Sequence, residues 1–359
     1  MHAVRLPISS PRKVPIVSRS SSYIILWFVC ALIGVASGCS QFPARTAAAS
    51  SPSRTCNLPR NEIQVAFATD RDAKELPDGR VEFGTGRSNI IHFGTVIVPF
   101  PPIRAIGSLP IGAKLEITSD TSSSEAISKV LATRDGTDDP KSASILIFVH
   151  GFGEDFGSSI LRAAQVVHDG CFDVVPLLFS WPTTHSITDY AYDRDSAIYA
   201  RDDLARVILG VTKRNPNYHL FLFAHSMGNW VALEALRVIA SDHGGTAKPK
   251  FDAIVLASPD VDVDVFRRNI LFPQSLSSKT VVVSNQRDIT LRLSGFFAGN
   301  VPRAGAATEV QFTNHGVLKS ERFEILSVDD LCGPLIHRCT EKTERGLMKL
   351  SAFFPTGWR

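Results

Sequence analysis

Tyr218-His-Leu-Phe-Leu-Phe-Ala-His-Ser-Met-Gly-Asn-Trp-Val-Ala-Leu233 is the stretch that decides the fold of this chain. It begins with the apolar run at residues 220–224, whose length is typical of a strand buried on both faces. From Trp230 to Ile239 apolar residues recur at three- and four-residue steps, which predicts a helix. Ser226 lies between the two, and Gly228 follows it. This pattern predicts a nucleophile elbow, a sharp turn that exposes a serine hydroxyl above a sheet.

The elbow departs from the usual G-x-S-x-G form, because Ala224 replaces the first glycine. The departure is mild, since a methyl group is small enough for such a turn. An ordinary strand–turn–helix is the alternative interpretation. The five-residue motif is weak by itself and gains weight only from its position between a strand and a helix.

Buried strands alternate with helices from residue 144 onward. Apolar runs predict strands at 145–149, 174–179, 253–257, 280–284 and 323–328, and periodicity predicts helices at 158–168, 186–213 and 343–353. Such alternation predicts a mainly parallel, doubly wound α/β sheet that binds ligands at the carboxyl ends of its strands. Upstream, a strand at 63–68, a polar stretch at 69–75 and short strands punctuated by glycine predict a small N-terminal β elaboration.

The N-terminal segment predicts export. Four basic residues among the first nineteen precede a 14-residue apolar run at 23–36, which is short for a membrane span of about 20 residues. Ala36-Ser-Gly-Cys-Ser40 resembles the lipobox of bacterial lipoproteins. The resemblance implies a signal peptide at 1–38 and a lipidated Cys39, with a flexible tether at 39–60 before a folded domain at 61–359. Simple secretion and a retained membrane anchor are the alternatives, so we expect the cell envelope or the exterior.

Composition and cysteine usage narrow the possible classes of function. The chain has a net charge of +3 and 44% hydrophobic residues, so we expect a large core and no nucleic-acid partner. Cys56, Cys171, Cys332 and Cys339 allow three pairings, or all four could be unpaired. A Cys332–Cys339 bridge would close a small loop that contains His337. No Cys/His spacing indicates zinc.

A serine nucleophile needs a general base and an acid that orients the base. In this type of fold the chain order is serine, acid, histidine. Asp288 and Asp260 each follow a predicted strand, so both are candidate acids, with Asp260 the alternative. His337 follows the last predicted strand and is the preferred base. His315 precedes that strand and ranks second.

The oxyanion formed by serine attack needs hydrogen-bond donors fixed in advance. Val149-His-Gly-Phe-Gly153 follows one predicted strand and precedes a helix, and its glycines allow backbone N–H groups to face a site. We therefore predict donors at the N–H groups of Phe152 and of Met227, the residue after the nucleophile. An ordinary strand-end turn is the alternative for the first of them.

For several other conspicuous residues we prefer a structural interpretation to a functional one. His225 is expected to pack at a strand end, although it could touch substrate, and Trp181 is expected to anchor a loop. Residues 193–195 predict a solvated or helix-starting charge cluster. Core packing is the expectation for residues 296–297 and 353–354, with an acyl pocket or a membrane surface as the alternative.

Five motifs in order resemble one family. They are Val149-His-Gly-Phe152, Phe179-Ser-Trp-Pro182, Tyr192-Asp-Arg-Asp-Ser196, Ala224-His-Ser-Met-Gly-Asn229 and Ser258-Pro-Asp-Val-Asp262. The family is a bacterial branch of the α/β-hydrolases long described as a domain of unknown function, and the upstream Ala68-Thr-Asp-Arg71 also fits it. The resemblance runs from about residue 63 to 354. It implies an α/β-hydrolase fold with Ser226 as nucleophile, Asp288 as acid and His337 as base. The family often has an aromatic residue soon after this histidine, whereas Arg338 and Cys339 follow it here.

The sequence therefore predicts an exported or lipid-anchored serine hydrolase that cleaves carboxylic esters through an acyl-enzyme. No metal or organic cofactor is expected. The expected partners are a small-molecule or lipid ester and, through the lipid anchor, a membrane. Lipase, thioesterase or amidase activity would use the same residues. A non-catalytic envelope binding or scaffolding protein that retains the fold is the alternative of a different class.

Overall fold

The computed structural model describes residues 56–58, 61–77, 80–102, 104–110, 143–184, 186–242, 248–313 and 321–357. The predicted signal peptide, Cys39 and most of the predicted tether lie outside the described residues, and so does His315. Within the described ranges, no helix has both the length and the apolar character needed to cross a membrane.

Eight strands of the described chain form one sheet. They are β1 (Glu62–Glu75), β2 (Val81–Pro99), β3 (Ser144–Val149), β4 (Val175–Ser180), β5 (His219–His225), β6 (Phe251–Ala257), β7 (Ser277–Ser284) and β8 (Phe323–Ser327). Their order across the sheet is β2-β1-β4-β3-β5-β6-β7-β8. Only the β1–β2 pair is antiparallel among these neighbours. The predicted doubly wound, mostly parallel α/β sheet is confirmed, with β5 between β3 and β6.

Helices cover both faces of this sheet. They are α1 (Phe156–Asp169), α2 (Tyr190–Arg214), α3 (Gly228–Ser241), α4 (Val263–Asn269), α5 (Leu271–Leu276), α6 (Ile289–Phe297), α7 (Glu309–Thr313), α8 (Cys339–Lys342) and α9 (Glu344–Leu350). Alternate residues of each central strand enter opposite cores. In β3, Ile145 and Ile147 join the core beneath α2 and α3, while Leu146 and Phe148 join the core beneath α1 and α9. Burial on both faces explains why these strands are continuous apolar runs.

The N-terminal β elaboration is larger than the sequence predicted. The polar stretch at 69–75 belongs to β1, and the predicted short strands are one continuous strand, β2. The two form a long antiparallel ribbon from the Glu62–Pro99 pair to the Glu75–Val81 pair. Backbone hydrogen bonds hold such a ribbon whether or not its side chains are apolar, so hydrophobic periodicity underestimates its length.

Two helices differ from the prediction in which residues they bury. In α2, which begins at Tyr190 after a 3-10 turn, Asp193 is buried in the first turn, which agrees with a helix-starting position and not with a solvated one. Asp193 accepts a hydrogen bond from the Thr184 backbone N–H at 2.9 Å, and burial raises its pKa to about 6. In α6, Phe296 and Phe297 are exposed, so the core-packing expectation for them is wrong.

The four cysteines of the folded domain form two disulfides. Cys56 pairs with Cys171, with 5.9 Å between their Cα atoms, and Cys332 pairs with Cys339 at 5.8 Å. The first bond ties the start of the described chain to the end of α1. The second closes a loop of the chain around His337. We refer to residues 332–339 as the His337 loop.

Candidate active site

Ser226 occupies a strained turn between β5 and α3. Its φ of 52° lies in the left-handed region, where residues other than glycine are uncommon. The turn is fixed by hydrogen bonds to the end of β6, since Ser226 N–H donates to the Ala257 carbonyl at 2.9 Å. The Asn229 side-chain amide donates to the carbonyl oxygens of both Ser226 and Ala257, at 2.9 and 3.0 Å. We call residues 224–228 the Ser226 elbow.

Glycine at position 228 is required by the neighbouring strand. A Cβ at this position would collide with the carbonyl oxygen of His150 and would lie 2.8 Å from that of Val149. The elbow therefore packs directly against the backbone at the end of β3. This close approach brings the turn after β3, which contains Phe152, next to Ser226.

Three of the predicted side chains lie in one hydrogen-bonded line. Nε2 of His337 is 2.9 Å from the Ser226 hydroxyl oxygen, and Nδ1 of His337 is 2.6 Å from Oδ2 of Asp288. With its proton on Nδ1, the imidazole presents a lone pair on Nε2 to the serine hydroxyl. Asp288 is fully buried and also caps α6, because its Oδ1 accepts from the Leu291 N–H at 3.2 Å.

The His337 loop is held by contacts on both sides of the histidine. The Ser258 hydroxyl donates to the His337 carbonyl at 3.3 Å. Arg338 forms an ion pair with Glu154, which lies just after the turn that follows β3. The Cys332–Cys339 disulfide closes the loop. The Cys332–Cys339 bridge is one of the pairings that the sequence left open. Arg338 appeared there only as a departure from the family pattern, and its ion pair also holds this loop in place.

A second histidine packs beneath His337. His225 is 2% exposed, and its ring meets the His337 ring edge to face at 4.9 Å. Its Nε2 lies 3.7 Å from a carboxylate oxygen of the buried Glu341. Burial lowers the pKa of His225 well below its usual range, and the nearby Arg338 charge adds to that effect. His225 is therefore a neutral packing residue, as the preferred interpretation expected.

The two predicted oxyanion donors belong to the turn after β3 and to the Ser226 elbow. Phe152 is in the turn after β3, and Met227 directly precedes α3. Within the described part of the chain, neither backbone N–H donates a hydrogen bond to another protein group. The turn is braced by Trp181, whose indole N–H donates to the His150 carbonyl at 2.8 Å. Trp181 is fully buried, so it anchors a loop and presents no surface to a substrate.

Asp260, the alternative acid, does not contact His337. Its carboxylate accepts hydrogen bonds from the Ser294 hydroxyl at 2.7 Å and the Tyr190 hydroxyl at 3.1 Å, and pairs with Arg303 at 3.1 Å. Burial raises the pKa of Tyr190 to about 12, and the Asp260 charge contributes to the shift. The sequence did not predict this network, because its four side chains come from separate elements and no regular spacing in the sequence relates them.

Arg71 is a further residue that the sequence left without a role. Its buried guanidinium donates to the Glu154 carbonyl at 2.6 Å, the Gly84 carbonyl at 3.0 Å and the Ser180 hydroxyl at 2.9 Å. Burial lowers its pKa to about 10. Arg71 thereby ties β1, β2 and β4 to the turn that carries Phe152. The only signal for it was the Ala68-Thr-Asp-Arg71 motif.

Comparison with known proteins gives distant likenesses to individual chains. An uncharacterized protein from Nostoc sp. (alr1448) is 25% identical over 103 residues, which are 23% of this chain, and the chain spans only 27% of that relative's length. The esterase Pf2001 of Pyrococcus furiosus is 11% identical with a TM-score of 0.34, covering 79% of this chain and 93% of that one. The lin2722 product of Listeria innocua is 14% identical with a TM-score of 0.37, covering 59% and 93%.

A family model gives the more extensive match. It covers residues 121–336, more than half of the chain, and includes both Ser226 and Asp288, while His337 lies one residue beyond it. The family is described as an alpha/beta hydrolase of unknown function (DUF900). Its fold agrees with the eight-stranded, mostly parallel sheet and the strand-to-helix elbow described above. The chain therefore belongs to this alpha/beta hydrolase family.

Proposed function

We propose that this protein is a serine hydrolase that cleaves carboxylic esters through an acyl-enzyme on Ser226. The observation that carries the proposal is the line from Asp288 through His337 to Ser226, with heavy-atom distances of 2.6 and 2.9 Å. The distance from His337 to Ser226 is within the range in which a base removes a proton from a nucleophile. The distance from Asp288 to His337 is that of a hydrogen bond that orients the base. A serine held in a strained turn is also typical of an activated nucleophile.

In the proposed reaction, Ser226 Oγ attacks the ester carbonyl and its proton passes to Nε2 of His337. Asp288 stabilises the resulting imidazolium. The carbonyl oxygen becomes an oxyanion, and the N–H groups of Phe152 and Met227 donate hydrogen bonds to it. The intermediate then collapses, and His337 gives its proton to the departing alcohol. Water attacks the acyl-serine with the same proton transfers, which releases the acid and restores Ser226.

The experiment compares matched variants of the full chain. Ser226→Ala should abolish labelling by a fluorophosphonate probe and lower turnover of short-chain nitrophenyl esters by about 10³-fold or more. Asp288→Asn should lower turnover by a similar factor, because the imidazole loses its orienting carboxylate. Asp260→Asn is the control, since that carboxylate pairs with Arg303 and does not contact the histidine.

Three outcomes would contradict all or part of the assignment. Unchanged ester turnover in Ser226→Ala would remove the nucleophile. A larger loss in Asp260→Asn than in Asp288→Asn, measured per folded molecule, would give the acid role to Asp260. If the wild-type protein neither reacts with the probe nor hydrolyses any acyl ester, thioester or amide, the binding or scaffolding function replaces the enzymatic one.

The proposal includes export and lipidation at Cys39, with secretion as the alternative. It rests on the N-terminal sequence and is supported by the two disulfides, since such bonds persist in oxidising compartments. Fractionation of expressing bacteria tests it. The wild type should be in the membrane fraction and Cys39→Ser in the soluble one. Wild-type protein in the cytosolic fraction would contradict both forms of the proposal.

A further inference from the structure

Half of the large apolar side chains exposed among the described residues lie on two short segments. Twelve such side chains are exposed in the described chain, and six of them occur at residues 289–297 and 335–336. Among these six, the most exposed are Leu335 at 73%, Phe296 at 66% and Phe297 at 54%. Single exposed apolar residues are normal, but contiguous ones mark an interaction surface. We call this set the apolar rim, composed of Ile289, Leu293, Phe296, Phe297, Leu335 and Ile336.

On α6 the rim residues share one helical face. Positions 289, 293, 296 and 297 are spaced as one stripe of a helix, while Leu291 and Gly295 are the residues buried on the other side. The helix therefore turns its larger apolar stripe to solvent and its smaller one to the core. An amphipathic helix packed only for stability would be oriented the other way.

The two segments of the rim are joined to each other and to the candidate active site. The Ile289 N–H donates to the Pro334 carbonyl at 3.0 Å, which connects the start of α6 to the His337 loop. Ile289 directly follows Asp288, and Ile336 directly precedes His337. A protein or a membrane bound to the rim would therefore lie beside the residues proposed for catalysis.

The two segments that carry the rim contain no acidic side chain, since residues 289–300 and 331–338 lack Asp and Glu. Arg292 is exposed on α6 and forms no ion pair with any described residue. Arg287 is exposed just before α6, and its guanidinium donates to the Asp329 backbone carbonyl at 3.2 Å. Cationic side chains next to exposed aromatic and aliphatic ones are complementary to a lipid surface, whose anionic headgroups cover an apolar interior.

We propose that the apolar rim docks on an anionic phospholipid surface. This contact is separate from any anchor at the N-terminus. Exposed Phe and Leu side chains together with Arg are typical of helices that lie at a lipid interface. Under the proposed function, on which this step rests, an occupant beside Asp288 and His337 must leave Ser226 accessible. A lipid surface meets this requirement, because it can itself present an acyl ester there.

The test is amide hydrogen exchange of the full chain, measured peptide by peptide with and without vesicles. A local readout is needed because the N-terminal apolar segment could bind vesicles independently. Vesicles of phosphatidylcholine with phosphatidylglycerol should slow exchange about fivefold or more at residues 289–300 and 333–336. Vesicles of phosphatidylcholine alone should have a smaller effect. Peptides from α3 should not change with either.

A matched pair of variants controls for the chemistry of the rim. The double variant Phe296→Ser/Phe297→Ser should lose the vesicle-induced protection. Leu271→Ser/Met348→Ser removes two exposed apolar side chains elsewhere and should keep it. Ser226→Ala should also keep it, so failure of docking is distinguishable from failure of the proposed hydrolase activity.

Several results would overturn the proposal. One is the absence of protection with anionic vesicles, and another is equal protection in the Phe296→Ser/Phe297→Ser variant. Equal protection by neutral vesicles would also overturn it, because the proposal requires an anionic surface. Protection that increases with protein concentration in the absence of lipid would assign the rim to a second copy of this chain.

Discussion

The Ser226 elbow and the His337 loop are the two halves of the candidate site, and they are built in different ways. The elbow joins two consecutive elements, β5 and α3, through a tight turn, and Gly228 lets this turn pack against the end of β3. The His337 loop is irregular and depends on distant partners. Glu154 and Asp288 lie far from it in sequence, and the Cys332–Cys339 disulfide closes it.

This difference determines how each half should fail. The elbow lies in the centre of the sheet, so a change there disturbs packing between β3 and β5 and affects the whole domain. The His337 loop lies outside the sheet, so a change there displaces the histidine while the core remains intact. We therefore expect elbow variants to lose stability first and loop variants to lose activity first.

Removal of the Cys56–Cys171 disulfide should have the largest effect on stability, and removal of the Cys332–Cys339 disulfide is its comparison. The Cys56–Cys171 bond spans 115 residues of sequence and the Cys332–Cys339 bond spans 7. Loop-closure entropy then predicts losses of about 5 and about 2.5 kcal/mol in the free energy of unfolding when each pair is replaced by serine. We expect the order to reverse for kcat. Loss of the shorter bond should lower kcat about tenfold or more, because it frees His337, and loss of the longer bond should change it by less than about twofold.

Denaturant unfolding gives the two stabilities, and kcat is expressed per folded molecule. The comparison fails if both double variants keep the same kcat, because His337 would then be positioned without its disulfide. It also fails if the shorter bond contributes more to stability than the longer one.

Gly228→Ala should have the next largest effect on stability. Its Cβ would meet two backbone carbonyl oxygens at the end of β3, which cannot move aside like a flexible side chain. We expect a loss of about 3 kcal/mol or more in the free energy of unfolding, measured in urea. Gly210→Ala is the control. That glycine lies in α2 with nothing within 4 Å of the added Cβ, and alanine there should stabilise by about 0.5–1 kcal/mol.

A stable Gly228→Ala variant would contradict the close approach of the elbow to β3. If that variant were stable and inactive, a change in the elbow would affect activity before stability, as expected for the His337 loop, and the contrast between the two regions would disappear.

The sequence by itself determined the parts of this protein that depend on neighbouring residues. Apolar runs of strand length and helical spacing predicted the parallel sheet, and the serine between a strand and a helix predicted the elbow at Ser226. The sequence also predicted the turn that contains Phe152, because this turn, like the elbow, follows a buried strand. Patterns of this kind are legible because backbone geometry repeats along the chain every two residues in a strand and every 3.6 in a helix.

Only the tertiary structure decided which distant groups meet. Asp288 and Asp260 both follow strands, and nothing in their spacing shows that the first contacts His337 while the second pairs with Arg303. The same holds for the two disulfides, and for the exposure of Phe296 and Phe297 on α6. Periodicity identifies which residues share a face of an element. What lies against that face depends on the packing of elements far apart in the chain, and no local pattern encodes it.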